Sequence, residues 1–232
     1  MSSLFNTQAG SLEKTFPEEG SVPLLQRKKA FFVLASSSPR RLELLAQIGL
    51  TPDLLLSPNI DEALHPHELP RVYCQRVAHL KALACLSQAA GQAPPESLLL
   101  AADTVICTAR RLFPKTEDPQ QARSYLEYLS GRRHRAITTV ALYKFLPAHS
   151  SSVPPKALAS RTVQTVVSFN RLSKTQIAHY LSTEEWKNKA GGYAIQGYAA
   201  SFVKFISGSY SNVVGLPLFE TAQLFRGQGW LP

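Results

Sequence analysis

The run Phe31 to Gly49, FFVLASSSPRRLELLAQIG, most constrains the fold, because a strand, a tight polar loop and a helix start follow one another directly. Phe31 to Ala35 is a short apolar run of strand type, whereas Leu42, Leu45 and Ile48 recur at helical spacing and Gly49 supplies a stop. The change of period falls at Ser36 to Arg41. There Ser38 can cap the helix, Pro39 suits a first helical position that needs no N–H, and the free N–H groups of the first turn point into the loop. Two arginines and three serine hydroxyls at a positively polarised helix end suit a phosphate. A capped helix with solvated arginines is the plain reading of the same residues. A P-loop is excluded, since its glycines and its Lys-Ser/Thr pair are missing.

A chain of 232 residues with 44% hydrophobic content can bury a real core around that unit, as one large domain or two lobes sharing a sheet. No apolar run approaches the roughly 20 residues that span a bilayer, and residues 1–30 lack the apolar centre of a signal peptide, so no membrane role and a cytoplasmic location are expected. Cys74, Cys85 and Cys107 are odd in number and widely spaced, which argues for core or near-surface thiols over a disulfide frame or zinc ribbon. The net charge of +9 favours a polyanionic partner: nucleic acid, an anionic membrane or a nucleoside triphosphate. Residues 1–28 are polar, with Pro17, Gly20 and Pro23, and are expected to form a flexible arm ahead of a single domain over 29–232.

Further along, Asp53 to Leu56 reads as a second strand, followed by the loop NIDEALHPHELP. His65 and His67 flank Pro66 without the i, i+4 spacing of zinc ligands on a helix, so Asp61 or Glu62 as a ligand for a hard cation is the better metal reading. Pro70 to Gln88 is helical, with Tyr73, Val77, Leu80 and Ala84 as its apolar stripe. Lys81 falls at the margin of that stripe, where its ammonium reaches a cleft edge or water. Leu98 to Cys107, LLLAADTVIC, has the continuous apolar character of a buried central strand, broken by Asp103. A carboxylate there must lie at the strand end, be hydrogen-bonded or meet a cation, which marks it as a site candidate beside the alternative of a structural turn.

Lys115 lies near a turn, and a helix begins at Pro119 with Asp118 as cap, Ala122, Tyr125, Leu126 and Leu129 as its face and Gly131 as its stop. Arg132, Arg133 and Arg135 lead into the strand AITTVALYKF; without aromatic interleaving or a binding motif they read as a solvated entry, which argues against nucleic acid. His149 to Lys156 reads as a hairpin loop or lobe connection, Ala159 to Phe169 as a strand, and Ser173 with Gln176 as a capping box. Alternation from Ala200 to Ile206, a Gly-Ser turn and Asn212 to Val214 suggest a hairpin, and a closing helix covers Phe219 to Phe225. Gln196, between Ile195 and Gly197, offers an amide donor and acceptor where a glycine lets a ligand approach. The class is therefore α/β, with a twisted mixed sheet, flanking helices and a parallel connection at the first unit.

Four segments, LASSSPRRLELL, AADTVI, GRRHRAITTVAL and KAGGYAIQGYAASFVKFISGSYSNVVGLPL, in that order resemble the signatures of the Maf family of nucleotide pyrophosphatases, over a stretch from Leu34 to Phe225. The resemblance implies two lobes around a cleft, an architecture shared with inosine triphosphate pyrophosphatases, and a homodimer. It implies cleavage of nucleoside triphosphates to monophosphate and pyrophosphate with a divalent cation, Mg²⁺ or Mn²⁺. By position, Asp103 matches the proton acceptor, and Ser36, Arg40, Glu62, Lys81 and Lys115 match active-site residues. Glu62 and Asp103 are the metal candidates. Arg40, Thr104 and Gln196 match the set that marks the branch acting on dTTP and UTP. The branch acting on 7-methyl-GTP has a bulky aromatic residue in place of the first arginine, and this chain does not.

Three departures stand out. Pro114-Lys115-Thr116 replaces the family's Gly-Lys-Pro, Asn188 stands where an aspartate is usual, and Ala102 where a glycine is. The rival class is a nucleic-acid or partner-binding protein in cell-division control, with an idle catalytic site. The presence of each main site residue argues against it.

Overall fold

The structure, a computed structural model, describes residues 31–109, 111–145, 155 and 157–232. The arm expected over 1–28 and, Pro155 apart, most of the connection expected at 149–156 lie outside the described residues. The opening unit folds as read: β1 (Phe32–Ala35), a loop, and α1 (Pro39–Gln47) with Pro39 at its first turn. β2 (Leu54–Leu56) and then α2 (Pro70–Gln88) follow. Next come β3 (Leu98–Cys107), β4 (Leu112–Phe113), α3 (Pro119–Leu129), β5 (Arg133–Lys144) and β6 (Ala159–Phe169). The chain closes with α4 (Lys174–Ser182), 3₁₀ turns at 190–192 and 198–202, β7 (Val203–Ser207), α5 (Tyr210–Val214) and α6 (Leu218–Arg226).

Seven strands form one mixed sheet in the order β2-β1-β3-β5-β6-β7, with β4 also on β3. β1 is parallel to β2 and β3, as a crossover helix requires, while β3, β5, β6 and β7 run antiparallel in turn. Side chains alternate between two buried faces, so β3 is apolar on both sides. Leu98, Leu100, Ala102 and Ile106 join the larger core with residues of α1, α3, α4, α5 and α6. Leu99 and Ala101, with Val33, Ala35 and Ala141, pack beneath Ala82 and Cys85 of α2.

One irregularity of this sheet creates the site. β1 pairs with β3 only from Leu98 to Ala101, and β4 takes up Ile106 and Cys107, whereas β5 runs along β3 from Leu98 to Cys107. Residues 102–105 therefore have a strand partner on one side and a notch on the other. The notch opens at the carboxyl end of parallel β1, beside the start of α1, where ligands of open α/β sheets bind.

Three sequence expectations are corrected. The buried face of α2 is Cys74, Val77, Ala78, Lys81, Ala82 and Cys85, so Lys81 lies within it and not at its margin. Small residues make that face, which lets the helix lie close on the sheet; a stripe counted in large residues misses it. No hairpin joins Ala200–Ile206 to Asn212–Val214. β7 is an edge strand on β6, and residues 210–214 are helical because the Ser209 hydroxyl accepts the Asn212 N–H at 3.2 Å. Ser38 occupies the N-cap of α1, but its side chain makes no capping bond; its N–H goes to the Ser36 hydroxyl at 3.2 Å.

Candidate active site

Asp103 and Thr104 are consecutive on β3, so the pleat sends them to opposite faces of the sheet at the notch. On the α2 face the Lys81 ammonium donates to Asp103 Oδ1 at 2.6 Å and meets Glu62 Oε1 at 2.9 Å. Lys81 and Asp103 are buried, 5% and 4% exposed, so the pairing answers the expectation that a carboxylate in this strand must meet a cation. On the other face the Thr104 hydroxyl lies 3.0 Å from that of Thr138 and 3.3 Å from the Gly215 carbonyl. Arg41 closes this side, donating to Gly215 O at 2.9 Å, Ser36 Oγ at 2.9 Å and Thr104 Oγ1 at 3.3 Å.

Three cavities meet here. A basic one of about 410 Å³ runs along Ser36–Arg41 and reaches Lys81, Lys115 and Lys189. A mostly apolar one of about 590 Å³ is walled by Leu64, Tyr73, Leu112 and Phe113 and ends at Asp103 and Lys115. A small one of about 50 Å³ lies between Arg40, Thr104, Tyr193 and Gly215. Lys115 borders all three.

Crowded cations give the basic cavity its chemistry. Desolvation lowers the pKa of Arg40 and Arg41, and in Arg40 the neighbouring Arg41 charge adds to it. Lys115 is exposed along its length, yet desolvation around its ammonium and then the charge of Lys81 lower its pKa. Lys189 is lowered by desolvation and then by Arg40. Groups that repel one another and have lost water gain most from a bound polyanion. Tyr73, pushed up to about 12 by burial and then by the Asp103 and Glu62 charges, stays an O–H donor, and Cys74, also pushed to about 12 by burial, stays a thiol.

Glu62 and Asp103 share one ammonium, so a hard cation coordinated by one or two carboxylates and completed by phosphate oxygens suits this donor set. Among the described residues no group of three or more His, Cys, Asp or Glu converges as an all-protein cage would require.

The structure thus brings Ser36, Arg40, Glu62, Lys81, Asp103, Thr104 and Lys115 to one notch. Gln196 is exposed, three residues beyond the cavity-lining Tyr193, and borders none of these three cavities. Two of the departures meet each other. The Thr116 hydroxyl accepts the Asp118 N–H at 3.0 Å, and Asn188, at φ 56°, donates its backbone N–H to Thr116 O at 3.1 Å and its side-chain amide to Glu117 at 2.8 Å. Asn tolerates that left-handed backbone, so the Lys115 loop has its own fastening. Sequence reasoning assigned Arg40 to the site and missed Arg41, whose guanidinium holds Gly215, Ser36 and Thr104, together with Tyr193, Lys189 and Gly215. The only signal for the last three is the glycine-punctuated run itself. At φ 75° Gly191 presses on Ile106, where a Cβ would lie 2.9 Å from the Ile106 side chain.

Residues 31–228 match the family described as Maf-like protein. The chain is 49% identical over 206 residues to a dTTP/UTP pyrophosphatase of Rhodospirillum rubrum, covering 89% of this chain and 91% of that protein. It is 49% identical over 220 residues to a dTTP/UTP pyrophosphatase of Gluconobacter oxydans, with 92% and 96% covered. A nucleoside triphosphate pyrophosphatase of Anaplasma phagocytophilum is 46% identical over 195 residues, with 84% and 94% covered. Among solved structures, a HAM1 protein from Coxiella burnetii aligns at 16% identity and a TM-score of 0.37 over 60% of this chain and 73% of that one, too slight a likeness to add to the argument. No described helix is long and apolar enough to cross a membrane. With the family match running from β1 past α6, and relatives near half identity covered almost end to end, this chain belongs to the Maf family.

Proposed function

We propose that the protein hydrolyses dTTP and UTP, or modified pyrimidine nucleotides, at the α–β phosphoanhydride, releasing the nucleoside monophosphate and pyrophosphate. The observation that carries this reading is the meeting of a cation-lined cavity with the buried Asp103 carboxylate, which shares the Lys81 ammonium with the more exposed Glu62, at the β3 notch. A triphosphate carries about four negative charges, and Arg40, Arg41, Lys115, Lys189 and the start of α1 face them together. Arg41, already held by Ser36, Thr104 and Gly215, is a rigid donor that need not be ordered again when substrate arrives.

Asp103, fixed by Lys81, accepts the proton of the attacking water as the water oxygen bonds to the α phosphorus; the bridging oxygen leaves with the β phosphorus as pyrophosphate. Glu62 and Asp103 would hold a divalent cation, Mg²⁺ or Mn²⁺, which when bound neutralises charge on the phosphate oxygens. The nucleoside end extends to Thr104 and the small cavity, with Arg40 at its mouth and Gln196 three residues beyond its Tyr193 wall. The same family reading includes a homodimer in the cytoplasm, and light scattering on the purified protein tests the assembly.

The deciding experiment is product analysis with Mg²⁺ or Mn²⁺ on dTTP, UTP, CTP, ATP, GTP and 7-methyl-GTP in parallel. Monophosphate plus pyrophosphate from dTTP and UTP is expected, with most of the turnover lost in Asp103→Asn while its circular dichroism stays that of the parent. Orthophosphate as first product, or near-normal turnover in Asp103→Asn, refutes the assignment.

A further inference from the structure

Glu62 reaches the site from residues 57–69, a segment with neither helix nor strand between β2 and α2. Its carboxylate is 40% exposed on the side chain, unlike that of Asp103. A loop side chain of this kind keeps a defined position only if the backbone beneath it is fixed from outside. Two side chains one turn apart on α2 do this. The Tyr73 hydroxyl donates to the carbonyl of Glu62 at 2.8 Å, and Arg76 Nη2 donates to the next carbonyl, that of Ala63, at 2.8 Å.

Arg76 is itself locked. It grips Glu68 through Nε to Oε1 at 2.8 Å and Nη2 to Oε2 at 2.7 Å, and its guanidinium lies over the Tyr73 ring, 5.4 Å from the centroid. Glu68 in turn accepts the His65 N–H at 3.2 Å. The fork of Arg76 thus ties the Ala63 carbonyl to the Glu68 carboxylate on the α2 side of Glu62, with a bidentate grip that a lysine ammonium could not reproduce.

We propose that Arg76, together with Tyr73, is a positioning residue for Glu62. By fixing two successive carbonyls, it aims the Glu62 carboxylate at the Lys81 and Asp103 centre where the divalent cation of the proposed reaction belongs. The proposal rests on that reading for the role of Glu62 and adds the device that sets it. The Arg76–Glu68 pair keeps the Glu68 carboxylate well below the usual range, at about 2, so the clamp stays closed throughout the pH range of an activity assay.

The test is a double-mutant cycle between Arg76→Met and Glu62→Gln, with two readouts that need no turnover. The first is amide hydrogen exchange over residues 57–69. The second is Mn²⁺ affinity, read by electron paramagnetic resonance with a UTP analogue carrying a methylene between the α and β phosphates. Arg76→Met is expected to speed exchange in 57–69 and not in β3 or β5, and to weaken Mn²⁺ and lower kcat/KM by about 10- to 100-fold, as loss of an outer support does. In the Glu62→Gln background the same change still speeds exchange but has no further effect on Mn²⁺ affinity or kcat/KM. Tyr73→Phe moves both in the same direction and by less.

An equal loss from Arg76→Met in both backgrounds overturns the proposal, since Arg76 then acts by another route. So does unchanged exchange over 57–69. If instead Glu62→Gln is as active as the parent, the role of Glu62 in the reaction is what fails, while faster exchange in Arg76→Met still reports the clamp. Should Arg76→Met not fold, Arg76→Lys keeps the charge, loses the fork and gives the same comparison.

Discussion

Lys81→Met isolates the buried charge pair at the notch. Methionine keeps most of the stem packed in the α2 face and removes only the ammonium, so cavity formation adds little. What remains is Asp103, 4% exposed and without its cation, and Glu62, whose side chain is 40% exposed and can take up water. The cost is therefore that of leaving one buried carboxylate unpaired, about 3–5 kcal/mol. In a domain of this size each kcal/mol lowers the melting temperature by about 2–4 °C, so a drop on the order of 10 °C is expected.

Urea unfolding in EDTA near neutral pH reads this deficit. Lys81→Met/Asp103→Asn should recover most of the loss, because a neutral amide replaces the orphan charge. A single variant within about 1 kcal/mol of the parent, or a double variant no more stable than the single, refutes the reasoning.

Gln196→Glu replaces an amide donor with an acceptor and should reorder kcat/KM among dTTP, UTP, CTP and GTP; an unchanged order removes Gln196 from base selection. His134, buried with Nε2 2.8 Å from the Tyr193 hydroxyl, is held by burial at a pKa of about 4. Since the unfolded histidine titrates at about 6.5, its contribution of about 3 kcal/mol is present above that value and is lost as pH falls from there through the folded value. Urea midpoints of His134→Gln should therefore fall less steeply with acid than those of the parent, and parallel curves would contradict this. Gly191→Ala sets a Cβ 2.9 Å from Ile106 at φ 75°, and a loss of about 2 kcal/mol or more is expected by thermal unfolding; a neutral substitution means that this approach is not tight.

Much of the frame was legible in the sequence because it rests on local chemistry. The period change at Ser36, the first-turn prolines of α1 and α3 and the Ser173–Gln176 capping box, present with both of its bonds, depend on neighbours a few residues away. What escaped depends on partners far off. Asn212 to Val214 read as the far side of a hairpin, yet they belong to the helical turn Tyr210–Val214, in which Asn212 is fully buried and donates to Ala136 O and Thr165 Oγ1. Arg40 and Arg41 are indistinguishable as letters. Arg41 turns inward because Gly215, far along the chain, offers its carbonyl.

The pair Asp103-Thr104 shows how local and distant information combine. As a dipeptide it says only that a charge interrupts an apolar strand. The notch that gives it meaning comes from β1 ending at Ala35, since the chain must turn into α1 at Pro39, and from β4 joining only at Ile106. A longer β1 would pair residues 102–105 and close the edge through which a ligand reaches both faces of the sheet. The pleat then divides the work, with Asp103, Lys81 and Glu62 on one face and Thr104, Arg41 and Gly215 on the other. In the proposed reaction a triphosphate lying across the notch would meet the Asp103 carboxylate from one side and fixed donors from the other, an arrangement that two adjacent residues provide only because the strand beside them stops short.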